Sequence, residues 1–193
     1  QIAGKTSGIP VIETEWLAEN SDGLIALSGG FRGHIGKAVL DTNHDLFLKR
    51  IKYFQKIFKE DFILEISRIN RPQEDLYNDY ILSKAGELGL PVVASNEVRF
   101  IDKEDYEAHE TRVCIQKGEV LSDARRTRNY FEDQYFLSPE EMYEKFKDIP
   151  EVLSNAYELG QKCNLEIETG IYVLPDFKTP LNKSAADHLI EIS

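Results

Sequence analysis

The sequence predicts an α/β fold built on a parallel sheet, and three observations carry that expectation. Three short apolar runs are bounded by turn formers, the stretches between them repeat their apolar residues at helical spacing, and strand and helix alternate along the chain. The runs are Gly23-Leu24-Ile25-Ala26-Leu27-Ser28, Asp61-Phe62-Ile63-Leu64-Glu65-Ile66 and Pro91-Val92-Val93-Ala94-Ser95. Near-continuous apolar character over four to six residues suits strands covered on both faces.

Between the first two runs, Phe47, Ile51, Phe54 and Phe58 recur at spacings of 4, 3 and 4, which places them on one helical face. Between the second and third, Tyr77, Ile81, Ala85 and Leu88 do the same, with Pro72 expected near the helix start and Gly89 and Pro91 ending it. A helix is expected from about Asp105 to Gln116. Ser138-Pro139-Glu140-Glu141 reads as a capping box opening the next, and Asp148 is expected to cap a helix from Pro150 to Cys163. Residues 166–173 are expected to add a strand, Leu174 to Pro180 a linker, and Ser184 to Ile192 a helix.

Composition narrows the function classes. The 193 residues hold 23 Lys+Arg and 34 Asp+Glu, a net charge of −11. That balance argues against the whole chain acting as a nucleic-acid clamp, which needs dense cations on its contact face. No run approaches the roughly 18 apolar residues that span a bilayer. Cys114 and Cys163 form neither a disulfide framework nor a Cys-x-x-Cys pair, so a reducing, cytoplasmic location is expected. The start at Gln1 suggests a piece of a longer chain.

Ligands of parallel α/β folds sit in the loops after the strands. The first such loop, Ser28-Gly29-Gly30-Phe31-Arg32-Gly33-His34-Ile35-Gly36, lacks the Gly-Lys-Ser/Thr ending of a phosphate loop, so its glycines are expected to serve tight turns and close packing. His34 could be a metal ligand, but a lone loop His is more often simply solvated. In the second, Glu65 could ligate a metal, but Arg68 and Arg71 nearby favour an ion pair. In the third, Glu97 and Arg99 occupy an alternate-residue pair in which a carboxylate and an imidazole would ligate; a guanidinium has no lone pair to donate. Arg125, Arg126 and Arg128 form the one concentrated basic patch, suited to a phosphate, to an acidic neighbouring domain, or simply to solvent. No complete metal site, triad or activated nucleophile is visible.

Several blocks in order then become recognisable. Leu27-Ser28-Gly29-Gly30, the stretch Pro91 to Ile101, Ala108-His109-Glu110-Thr111-Arg112-Val113, Arg126-Thr127-Arg128-Asn129-Tyr130, Asp148-Ile149-Pro150-Glu151 and Val173-Leu174-Pro175-Asp176-Phe177 resemble the bacterial replicative DNA polymerase III alpha-subunit family, in the later part of its N-terminal PHP (polymerase and histidinol phosphatase) domain. The resemblance implies a partial PHP-type distorted (β/α)7 barrel, later strands only, followed by helices and a linker toward the palm. Residues 1–173 would be the C-terminal two-thirds of the PHP domain and residues 174–193 the linker and start of the palm.

It also implies which positions matter. Metal-competent members place a Cys at Gly30 and an Asp-x-His at Glu97 and Arg99, so the ligand set is degenerate here and no metal or catalytic residue is assigned. Glu65 and His109 would remain as remnant-pocket residues. The expected role is a metal-free structural and docking segment, without polymerase active site, in a parent that synthesises DNA with Mg2+. Expected partners are the rest of the alpha subunit, the proofreading exonuclease and other replisome subunits, with DNA contacted mainly by other domains and no membrane. The alternatives are an active metal-dependent PHP phosphoesterase, motivated by Glu65, Glu97 and His109, and an unrelated small α/β ligand-binding domain. Arg99 is expected to turn into the former metal pocket and pair with Glu97, Glu65 or an upstream acid, with Arg99→Ala costing about 1–3 kcal/mol.

Overall fold

The computed structural model describes residues 5–6, 9–171, 179 and 183–193. It divides into two compact units, residues 1–162 and 163–193. The first opens with the short antiparallel pair β1 (Lys5–Thr6) and β2 (Ile9–Pro10), followed by α1 (Thr14–Glu19).

The three apolar runs form one parallel sheet in the order β3, β4, β5. The first run yields only the two-residue β3 (Ala26–Leu27), at the edge. Next come α2 (His34–Leu40) and α3 (His44–Phe58), which buries Phe47, Ile51 and Phe58 as its periodicity predicts. The Asn43 side chain caps α3 by accepting from the Leu46 N–H at 3.0 Å. The central strand, β4 (Phe62–Ser67), buries every residue but Glu65, because helices cover both faces.

After β4 comes α4 (Glu74–Leu88), ended by Gly89 at φ 64°, a left-handed stop that a side chain would strain. Pro72 lies ahead of the helix rather than in its first turn, because Gln73 adopts φ 65° and turns the chain before the helix begins. The third run forms β5 (Val92–Ser95), and α5 (Tyr106–Lys117) matches its expected span within a residue. Ser138 and Glu141 form the reciprocal capping box of α6 (Pro139–Phe146). In α7 (Glu151–Lys162), the Asn155 amide donates to the Val92 carbonyl at 2.8 Å, tying the helix to β5. Asp148 is drawn instead to Arg68, which takes its carboxylate at 2.6 and 2.7 Å.

The core lies between the sheet and α2, α3, α4, α6 and α7, with Phe47, Ile51, Leu64, Ile66, Tyr77, Ile81 and Phe146 essentially sealed from water. Burial of large apolar side chains of this kind, at about 1.5–3 kcal/mol each, is the main term holding the layers together.

The second unit contains α8 (Ala185–Ile192), capped by Ser184 through the Asp187 N–H at 3.1 Å. Residues 166–171 form no strand, which corrects that expectation over the described part of the segment. This polar-alternating stretch has no neighbouring strand among the described residues to satisfy its backbone. The expected linker falls almost entirely outside the described residues.

Candidate functional site: a strand-end pocket

The loop after β3 turns back at Gly29 (φ 75°) and Gly30 (φ 57°). A Cβ on Gly33 would lie 2.3 Å from the Ser28 carbonyl oxygen, and one on Gly36 would lie 2.4 Å from the carbonyls of Gly30 and Phe31. The glycines therefore let backbone meet backbone, as the sequence suggested. Ser28 ties this loop to the central strand: its N–H donates to the Ile63 carbonyl and its hydroxyl accepts from the Glu65 N–H, both at 2.9 Å.

That packing brings Gly30 against Glu65, whose side chain would be 3.9 Å from a Cβ built at Gly30. Tyr77, from α4, donates its hydroxyl to the Glu65 carbonyl at 2.9 Å. Burial pushes the Tyr77 phenol far up, with the charges of Glu65 and Glu97 adding to the shift and Ser28 and Arg71 opposing it. Strand ends β3, β4 and β5 thus converge on one place.

The cation found there is Arg71. Its Nη2 lies 2.7 Å from Glu97 Oε2, and its side chain is 4% exposed against 17% for Glu97. The guanidinium carbon sits 4.7 Å from the Phe31 ring centroid and 5.7 Å from that of Phe131. Nε and Nη1 of Arg71 have no hydrogen-bond partner among the described residues. Glu97 is held at φ 47°, uncommon for a residue with a side chain, and Gln134 donates to its carbonyl at 3.0 Å. Asn96 beside it donates to the carbonyls of Asp133 and Tyr135 at 3.0 and 2.7 Å. The loop after β5 is therefore clasped by residues 131–135.

Arg71 is oriented in turn by Glu74. This buried carboxylate accepts from the Ser67 hydroxyl at 2.9 Å and the Ile69 N–H at 2.8 Å, and more distantly from the Arg71 N–H at 3.4 Å. Burial raises its pKa, and those hydrogen bonds oppose the rise.

Arg99 departs from expectation. It is exposed, it pairs with neither Glu97 nor Glu65, and its guanidinium lies 5.8 Å from the Tyr130 ring centroid. The reason is local: its N–H donates to the Gln134 carbonyl at 2.8 Å and the chain turns outward, while Arg71 reaches Glu97 from inside. Nor does Glu65 form the ion pair expected of it, since Arg68 goes to Asp148 and Arg71 to Glu97.

His109 is buried away from a carboxylate pocket, its ring 4.6 Å from Tyr130 and 5.5 Å from Phe100. Burial and the nearby Arg112 and Arg99 lower its pKa, against a raising effect of Glu110. His34 is exposed beside Phe54, its pKa lowered by partial burial and by Arg50 and Lys37. The basic patch separates into three fates: Arg125 folds onto Asp123 at 3.0 Å, Arg126 forms a sealed ion pair with Glu110, and Arg128 stays exposed. Gln134, Glu74 and Asn96 carried no sequence signal, because a lone polar residue reveals its burial only when its partners are known.

Among the described residues no three His, Cys, Asp or Glu side chains gather as metal ligands. Gly30 has no donor atom, and the inner face of Glu97 is occupied by a guanidinium. Among the described residues, the side chains at Gly30, Glu97 and Arg99 therefore do not by themselves fit a metal cluster.

The comparisons with known proteins agree with the resemblance. The model of the PHP domain family matches residues 2–69. Relatives named DNA polymerase III subunit alpha align over nearly the whole chain: 42% identity over 96% of it in Pseudomonas aeruginosa, 43% over 94% in Escherichia coli and 44% over 92% in Vibrio cholerae. The chain spans only about one sixth of their length, 15–16% in each case. Parallel strands alternating with helices are consistent with that assignment. The chain is a PHP-containing segment of the DNA polymerase III alpha-subunit family.

Proposed function

We propose that this chain is a metal-free structural and docking segment of a replicative polymerase subunit, contributing to DNA-templated DNA synthesis as scaffold rather than as catalyst. The observation that carries the reading is the Arg71–Glu97 pair at the strand ends. A permanent guanidinium neutralises the carboxylate that a metal would otherwise need to neutralise. In this reading β3, β4 and β5 are later strands of a distorted barrel of about seven, with residues 1–173 in the PHP domain and 174–193 leading to the palm. Nucleotidyl transfer with Mg2+ belongs to other parts of the subunit, which also make most contacts to DNA. The protein works in the cytoplasm; no helix among the described residues is long and apolar enough to cross a membrane. The rest of the alpha subunit is the first partner, and the proofreading exonuclease and other replisome subunits are further ones.

Metal analysis and an exonuclease pull-down on the complete PHP domain test the two halves of this reading. Absence of stoichiometric Zn or Mn together with retained exonuclease binding supports it. Phosphodiesterase turnover with bound metal overturns the first half, and loss of binding overturns the second.

A further inference from the structure

The chain carries a net charge of −11, yet the Lys, Arg, Asp and Glu residues lining the groove along α3 are all cations. The groove is open and encloses about 650 Å³. Leu46, Tyr53 and Phe54 give it an apolar lining, and Lys49, Arg50, Lys52 and Lys56 supply the charge. Two other elements wall it. Tyr53 donates its hydroxyl to the Thr14 carbonyl of α1 at 3.1 Å, and the His34 ring at the start of α2 stands edge-on to Phe54 with centroids 6.5 Å apart. Arg50 donates to the His34 carbonyl, which pins α3 against α2.

None of the four cations forms an ion pair among the described residues, whereas Lys84, Lys145 and Lys147 each find a carboxylate. Of the acids that adjoin these elements in sequence, Glu13, Glu15 and Asp45 do not line the groove. Glu15 touches its edge, accepting from the Thr14 hydroxyl at 3.4 Å, and the cations outnumber it. The positive potential reaches His34, whose pKa is lowered by partial burial and then by Arg50 and Lys37. Val11, Ile12 and Trp16, which flank Thr14 in sequence, are exposed as well, so the chain around α1 adds apolar surface.

We propose that this groove docks an acidic amphipathic helix of a partner protein, its apolar stripe on Leu46, Tyr53 and Phe54 and its carboxylates on Lys49, Arg50, Lys52 and Lys56. The proposal rests on the docking half of the proposed function and names the surface and the chemistry it recognises. Leu46 to Lys56 span about 15 Å along α3, the length of about ten residues of a partner helix. Apolar anchors at helical spacing fill grooves of this kind. The unpaired cations select among such helices, attracting a stripe flanked by carboxylates and repelling one flanked by lysines. A polyanion without apolar anchors would leave Tyr53 and Leu46 in water, so charge alone does not satisfy the groove.

Fluorescence anisotropy with the intact subunit tests this. The probe is a labelled helical peptide of about 15 residues, with Leu at i, i+3, i+4 and i+7 and Glu on both sides of that stripe. Saturable binding is expected, weakening with salt. Lys49→Glu and Lys52→Glu should each weaken it about fivefold and flatten the salt dependence. Tyr53→Ser should weaken it about tenfold at every salt concentration. Lys117→Glu, on α5 and outside the groove, should stay within about twofold of the parent. Thermal melts of the lysine variants should match the parent, so that their lost affinity reports the groove and not unfolding. No saturable binding overturns the proposal, as does equal weakening by Lys49→Glu, Lys52→Glu and Lys117→Glu. Equal affinity for polyglutamate of the same length, or for the peptide with Lys in place of Glu, overturns the helix or the charge assignment respectively. An exonuclease pull-down that succeeds while the probe fails to bind separates failure of this groove from failure of the docking role itself.

Discussion

Arg71 and Glu97, from the loops after adjacent strands, form an ion pair of 2.7 Å at the point where the sheet's strand ends converge. Removing one partner of a largely buried pair leaves a charge without compensation, and Glu97 is somewhat more exposed than Arg71. Arg71→Ala should therefore cost about 2–4 kcal/mol in urea denaturation. Arg99→Ala should stay within about 0.5 kcal/mol of the parent, as for other exposed substitutions. A larger loss at Arg99 than at Arg71 would reverse the assignment.

The turn after β3 predicts a graded response to added methyl groups. Gly30→Ala meets only ordinary contact with Glu65 but is strained at φ 57°, for a cost of about 1 kcal/mol. Gly33→Ala drives a Cβ into backbone at 2.3 Å and should cost more than about 3 kcal/mol, or prevent folding. Thermal melts of the two variants rank them.

The fold was legible wherever burial follows from local pattern. Phe47, Ile51 and Phe58 share a face because a helix repeats every 3.6 residues, and the Ser138–Glu141 box closes within four residues, so neither needs knowledge of distant chain. The pocket was legible only in part. Gly30 and Glu97 lie just past β3 and β5, whereas Glu65, expected at a strand end, sits inside β4 opposite Val93, and the choice among Arg68, Arg71 and Arg99 for Glu97 depends on how residues 131–135 clasp the third loop. That clasp rests on Gln134 and Asn96, whose partners lie 37 to 39 residues away in sequence.

Asp148 supplies a pH test. Its hydrogen bonds with Arg68 hold the carboxyl at about 2, below its ordinary 3.8. A depressed folded-state pKa contributes stability that is present above the ordinary value and lost as pH falls toward about 2. The pair is partly exposed, so the contribution is about 0.5–1 kcal/mol. Asp148→Asn should lose that amount at neutral pH and show a shallower decline between pH 4 and 2 than the parent.

The α6 cap offers an independent check on local reasoning. Ser138→Ala removes the acceptor for the Glu141 N–H and should cost about 1 kcal/mol by chemical denaturation. No change would mean that Glu141, bonded to the Ser138 N–H at 2.8 Å and to Tyr135 at 2.7 Å, holds the turn alone.

The central claim is that Arg71 does the electrostatic work of a metal at the strand ends, and thermal melting of the complete PHP domain with and without chelator tests it most directly. The account predicts that the parent melts at the same temperature after exhaustive chelation and with added Zn or Mn, while Arg71→Ala melts lower under every condition. Stoichiometric metal in the parent, with a melting temperature that falls on chelation, would contradict it.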